Sequence, residues 1–213
     1  MSLLNYISRG LVSAAAFSTL LFAAPWQQAL ANETLVYQII SGSDDAEENI
    51  ADPTDMGQID LTSSDLELTV EDDEGDPNTA QRVGVRFTGI DIPKGTPIVS
   101  AYLQFTTDED DKNGNPFSVT VWAEASDNAA TFTAGLNDVT SRPTTSAAVV
   151  WSSPADWTLE HESGTKQRTP NLAALVQEVI DREGWSAGNA LTFLLEGQGP
   201  RTAESDEGSV SHT

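Results

Sequence analysis

A chain of 213 residues with 33 acidic against 10 basic side chains has a net charge of −23 at pH 7. Such a chain repels phosphate backbones and anionic lipid surfaces, which argues against nucleic acid and membrane surfaces as partners and in favour of cations. With no cysteine and 38% apolar residues, its stability must come from one buried core, assisted by any metal it recruits, rather than from disulfides.

Residues 1–31 have the form of a signal peptide. Arg9 supplies a positive start, Leu11 to Ala24 an apolar run, Pro25 a break, and Ala29-Leu30-Ala31 a small-x-small cleavage site. The run is well short of the ~20 residues a spanning helix needs, so export with cleavage after Ala31 is expected, without membrane insertion of the mature chain. The leader removes one basic residue and no acid. Residues 32–213 therefore carry 9 basic against 33 acidic side chains, a net charge of −24.

From residue 32 onward, apolar segments alternate with acidic, turn-rich ones at the spacing of an all-β protein forming one domain over 32–213. The expected strands are Thr34 to Ile40, Leu66 to Val70, Arg82 to Phe87, Ile98 to Thr107, Phe117 to Ala125, Ala147 to Trp151 and Ala190 to Glu196. Period-two alternation in Val83, Val85, Phe87 and in Val99, Ala101, Leu103, Phe105 predicts sheets with one buried face. Leu172, Leu175, Val176, Val179 and Ile180 fall instead at helical spacing, predicting one amphipathic helix over about 170–183. Thr169 is placed to cap it, Pro170 suits its first turn, and Gly184 suits a left-handed stop. Beyond the last strand, Pro200 to Glu207 reads as a loop and no further apolar strand follows. The domain is thus expected to lack its final strand and to leave Ala190 to Glu196 with an unpaired edge.

Catalytic signatures are missing at defined positions. His161-Glu162 opens like a metalloprotease helix, but Thr165 stands where the second histidine belongs. There is no G-x-S-x-G elbow and no phosphate-binding glycine loop, and only His161 and His212 are available to a hydrolase. The chain is therefore read as non-catalytic.

Acidic clusters are the positive signal. They lie at Asp44 to Glu48, Asp65 with Glu67, Glu71 to Asp76, Asp108 to Asp111 and Glu204 to Glu207. Calcium takes six to eight oxygen ligands, so such loops suit it, and the expected ligands are Asp45, Glu48, Asp65, Asp108, Glu109 and Glu204. The 109–120 stretch is not an EF-hand, because Thr120 replaces the closing glutamate. Trp122, Trp151, Trp157 and Trp185 are candidates for a sugar-stacking platform, although large aromatics more often pack in cores. Arg82 and Arg86 share one strand face opposite Val83, and are expected to pair with carboxylates such as Asp65 or Asp108.

Several stretches together resemble a known module: Ser43 to Glu48, Asp60 to Leu68, Val83 to Phe87, Ile92 to Gly95, Ile98 to Phe105, Ser126 to Phe132, Gln167 to Pro170 and Arg201 to Ser205. The pattern resembles the jelly-roll modules of secreted, often multidomain bacterial proteins, related to the DNRLRE-type carbohydrate-binding domains. That resemblance implies a jelly-roll β-sandwich with a polysaccharide- or cell-surface-associated role, often fused to a secreted enzyme. It matches the family's arginine-bearing strand to Arg86 and the acidic residue before its last strand to Glu204. The reading that emerges is a secreted, calcium-stabilised module for extracellular polysaccharide or surface glycan. The alternative is a structural or adhesive surface protein that assembles through sheet edges.

Overall fold

The computed structural model describes residues 7–10, 32–70, 79–113 and 116–206, the first four as backbone only. Among the described residues the protein is mostly β, with one helix. β1 (Ile7–Gly10) pairs antiparallel with β2 (Asn32–Leu35), Ile7 opposite Leu35. The rest of the expected leader, the acidic stretch 71–78 and the segment 207–213 lie outside the described residues.

Six strands form the main sheet: β3 (Asp45–Asn49), β4 (Ile59–Asp60), β6 (Gln81–Phe87), β7 (Ser118–Ala123), β8 (Val149–Ser152) and β9 (Leu191–Gln198), all neighbours antiparallel. Their order across the sheet is β4-β3-β6-β9-β7-β8. Alternation sends Val83, Val85 and Phe87 of β6, and Val119, Val121 and Ala123 of β7, to one face, where they are buried with Phe193 and Leu195 of β9. β9 therefore lies inside the sheet, between β6 and β7. The unpaired edge expected there is occupied, because both flanking strands were already present in the sequence.

A second layer covers that face. β5 (Asp65–Glu67) pairs with β10 (Thr202–Glu204), a strand in the segment read as a loop. Thr107 bridges Ala203 on the far side of β10, and residues 101–107 then spend their backbone groups on the 161–172 segment. The amide of Phe105 donates to Gln167, that of Thr107 to Glu162, and those of Thr169 and Leu172 to Leu103 and Ala101. The expected strand at 98–107 is thus extended and buried at Ala101, Leu103 and Phe105, but its partner is irregular and no regular ladder forms. Phe105 stacks on Trp151 across the layers, with ring centroids 5.8 Å apart and 8° between planes.

The helix α1 (Ala173–Ile180) is shorter than expected and buries Leu175, Val176, Val179 and Ile180. Thr169 is not its cap. Its hydroxyl accepts from the Leu103 amide; Leu172 stands at the N-cap without a side-chain cap, and just before it Asn171 Oδ1 accepts from Ala173 at 2.9 Å and from Ala101 at 3.0 Å. Gly184 serves close approach rather than a left-handed turn, since a Cβ there would overlap the Asp127 carboxylate.

On the opposite face of the main sheet, a smaller core joins Ala46, Leu194, Phe132 and Val139. The 125–145 segment that supplies the last two is pinned by Arg142. Its guanidinium lies 4.2 Å from the Phe132 ring centroid and donates to Glu124, Asp138, Ala130 and Thr131.

Candidate ligand groove

Register decides which acids meet. β3 was read as an acidic calcium-binding loop, but its pairing with β6 sets Asp45 opposite Val85 and Glu47 opposite Val83, on the inward-facing side, with Ala46 opposite Gly84 and Glu48 opposite Arg82. Period two therefore sends Glu47 toward β5 and Glu48 to the outer face. Glu67 of β5 donates its amide to Glu47 Oε1 at 2.6 Å, and Gln81 Nε2 reaches Glu67 Oε2 at 3.4 Å.

Around this pair, β3, β4, β5, the start of β6 and the 49–63 loops frame a groove of about 540 Å³. Its lining is Glu47, Asp55, Asp60 and Glu67 with Asn49, Gln58, Gln81, Ser63 and Ile59. No cation lines it. Asn49 Oδ1 holds the loop by accepting from Ala51 and Asp52, and Asp52 in turn accepts from the amide and hydroxyl of Thr54. The Thr54 contacts, amide first and then hydroxyl, lower the pKa of Asp52. Glu47 goes the other way. Burial raises its pKa well above the ordinary glutamate value, and the hydrogen bond and charge of Glu67 and the charge of Asp65 add to this against the opposing Glu67 amide.

The six residues expected to ligate calcium are divided. Glu48 is spent on the outer face, where its carboxylate accepts from the amides of Val139 and Thr140 at 2.8 and 2.7 Å and from the Thr140 hydroxyl. Asp45 accepts from the Asp206 amide at 2.8 Å. Asp65 and Glu204 face each other across β5 and β10. Asp108 lies within electrostatic reach of both and of Glu109; burial first, then Glu204, Asp65 and Glu109, push it to about 6, while His161 opposes. His161 itself holds a left-handed φ of 62° and contacts Glu204 through Nδ1 at 2.7 Å. Among the described residues, no group of three or more His, Cys, Asp or Glu is disposed to hold a metal ion.

The arginines and tryptophans also resolve. Arg86 pairs with Asp44, and Arg82 with Glu196 at 3.6 Å, rather than with Asp65 or Asp108. Trp151, Trp157 and Trp185 are core residues, the last two donating from Nε1 to Lys166 and Ile92. Trp122 alone of these four is half-buried, on the outer face 5.7 Å from the Arg82 guanidinium.

The groove was not foreseen as a unit. Glu47 and Glu67 stand in acidic clusters visible in the sequence, but Asn49, Gln58 and Gln81 carry no such signal and meet only through the β3–β4–β6 pairing. No protein-family model matches the chain, and no curated protein matches its sequence. No helix among the described residues is long and apolar enough to cross a membrane.

Proposed function

We propose that this protein is an exported, non-catalytic binding module of the jelly-roll sandwich type, and that the groove between β3, β4 and β5 receives a hydroxyl-rich ligand such as an extracellular polysaccharide. The groove's lining carries the reading. Carboxylates and side-chain amides converging on a concave surface accept and donate the hydrogen bonds that sugar hydroxyls need, and a neutral glycan escapes the repulsion that an anion would meet here. The two layers packed through Leu66, Leu103, Phe105 and Ala203 against Val83 and Val119 agree with a sandwich, and the similarity to DNRLRE-type modules points to the same ligand class. Neutral and anionic glycans immobilised on an array, probed with the wild type and with Asp60→Asn and Glu67→Gln, test it. Neutral glycan binding that weakens about tenfold or more in either variant supports the reading; the loss of one hydrogen bond to a charged group corresponds to about that factor. Absence of glycan binding in the wild type, or unchanged binding in both variants, rejects it.

The edge strand β8 favours a second reading, assembly through sheet edges. It ends the main sheet and exposes Val150 by 56%. A concentration-dependent mass in sedimentation, without glycan binding, would select it.

A further inference from the structure

We infer that the outer face of the main sheet carries a second sugar site, apart from the groove, where a neutral pyranose ring stacks on Trp122 and hydrogen-bonds to Arg82, Glu196 and Thr120. Strand register builds it. Arg82 of β6 lies opposite Glu196 of β9, Glu196 opposite Thr120 of β7, and Thr120 opposite Val150 of β8. The neighbouring residues Val83, Leu195, Val119 and Trp151 are buried in the main core, so alternation turns this row outward, with half-buried Trp122 beside it two residues after Thr120. The smaller outer core ends before reaching it: Leu194, directly opposite Trp122, belongs to that core, and Trp122 belongs to neither.

Arg82 is the observation that points to a ligand. Arg86, Arg142, Arg168, Arg182 and Arg201 each donate at least one side-chain hydrogen bond. Arg82 donates none among the described residues: its Nε is buried without a partner, and its Nη1 stands 3.6 Å from Glu196, beyond hydrogen-bond distance. A guanidinium that has given up water without gaining a hydrogen bond carries a cost that a ligand can remove. Charge then selects the ligand. Arg82 and Glu196 cancel, and Thr120, Trp122 and Val150 are uncharged, so this patch is locally neutral on a chain of net charge −23. A pyranose fits such a surface: its C–H faces suit the indole and the exposed Val150, while its hydroxyls donate to Glu196 and accept from Arg82 and Thr120. The site needs nothing from the groove, which opens between β3, β4 and β5, and stands or falls apart from it.

Titration of the intact protein with short oligosaccharides of glucose, xylose, mannose and galactose, followed at the indole N–H resonances, tests it; the resonance lost in Trp122→Phe is that of Trp122. The expected result is a saturable shift of this resonance with at least one of the sugars, whose Kd rises about tenfold or more in Trp122→Thr and rises also in Arg82→Lys. Threonine keeps the strand propensity of the position, and should that variant not fold, Arg82→Lys decides alone. A Trp122 resonance that no sugar moves, or a Kd unchanged in Trp122→Thr or in Arg82→Lys, overturns the site. The groove variant Glu67→Gln separates the two surfaces: a Kd raised by it and not by Trp122→Thr puts the sugar in the groove and overturns this site while the groove reading stands. A resonance that moves with protein concentration rather than with sugar assigns the face to a second copy and overturns it as well.

Discussion

Phe132 sits directly over Gly84, its ring filling the space where any other residue would place a Cβ. Gly84 is in the middle of β6, opposite Ala46 on one side and Leu194 on the other, so the ring closes the small outer core against bare backbone. Gly84→Ala is expected to cost about 1–3 kcal/mol through overpacking. The same substitution in a Phe132→Leu background should cost less, because the overlapping ring is gone. Chemical denaturation of the two single variants and the double variant measures the difference; equal costs in both backgrounds would separate the two residues.

Glu48 holds the 137–141 turn from beneath by accepting from Val139 and Thr140. Glu48→Ala strands two amides and is expected to destabilise by on the order of 2–3 kcal/mol. Because the outer core lies under that turn, exchange at Val139 and Thr140 should accelerate before that of β9. Simultaneous loss of protection at both places would show that the turn is not a separate unit.

Asp108 gives a pH test of its own. Its folded-state pKa of about 6 lies above the ordinary aspartate value of 3.8, so its ionisation works against the fold as pH rises between those values. Asp108→Asn should raise the melting temperature at neutral pH, and the gain should vanish toward pH 4. Solvent screening keeps the gain modest at this half-exposed site. A gain that is constant with pH would contradict the assignment.

Glu178 guards the start of the β8 edge. Its carboxylate accepts from the amides of Ser146 and Ala147 at 2.6 and 2.9 Å, just before Val149–Ser152 forms the outermost strand. Glu178→Ala is expected to cost about 1–2 kcal/mol and to free two donors beside exposed Val150. Light scattering should then show more self-association than in the wild type.

Export predicts a mature chain that begins at Asn32. Cleavage after Ala31 would remove β1 from β2, and the first buried apolar residue of the described core is Ile39. The chain from Asn32 should therefore melt within about 3 °C of the uncleaved one, a shift corresponding to about 1 kcal/mol. Intact mass of the exported protein and calorimetry of both forms check the two halves of the expectation.

Much of the β pattern was legible because apolar alternation reports burial locally. Val83, Val85 and Phe87, and the run from Phe117 to Ala123, occupy the face that alternation predicts. α1 was legible for the same reason, although its start was not: Thr169 and Asn171 compete for nearby backbone donors, and only the position of the 101–103 segment assigns one to each. β3 escaped notice because Asp45, Glu47 and Glu48 look solvated in isolation. Their strand conformation comes from pairing with β6, a partner well away in sequence. β10 escaped for a similar reason, since Arg201, Thr202, Glu204 and Ser205 are polar yet buried. The groove inherits the first omission. Glu47 and Glu67 were visible in clusters, but Asp55 and Asp60 were not, nor was the strand register that collects all four.

β5 belongs to one sheet at its start and leads into the other at its end: Leu66 lies opposite Ala203, while Val70 bridges Ala80 and Thr69 accepts from Gln81. As the chain is synthesised, the partners near residue 80 arrive almost at once, whereas β10 is the last of the described strands to be made. β5 must therefore wait for its partner strand through nearly the whole of translation, while Thr69 and Val70 just beyond it find theirs at once, the long-range closure that slows β folding. Asp65 and Glu67 flank Leu66 in that interval. Their charges discourage a stray strand from another chain from docking first, so the acidity of this segment protects the growing polypeptide before it shapes the finished one.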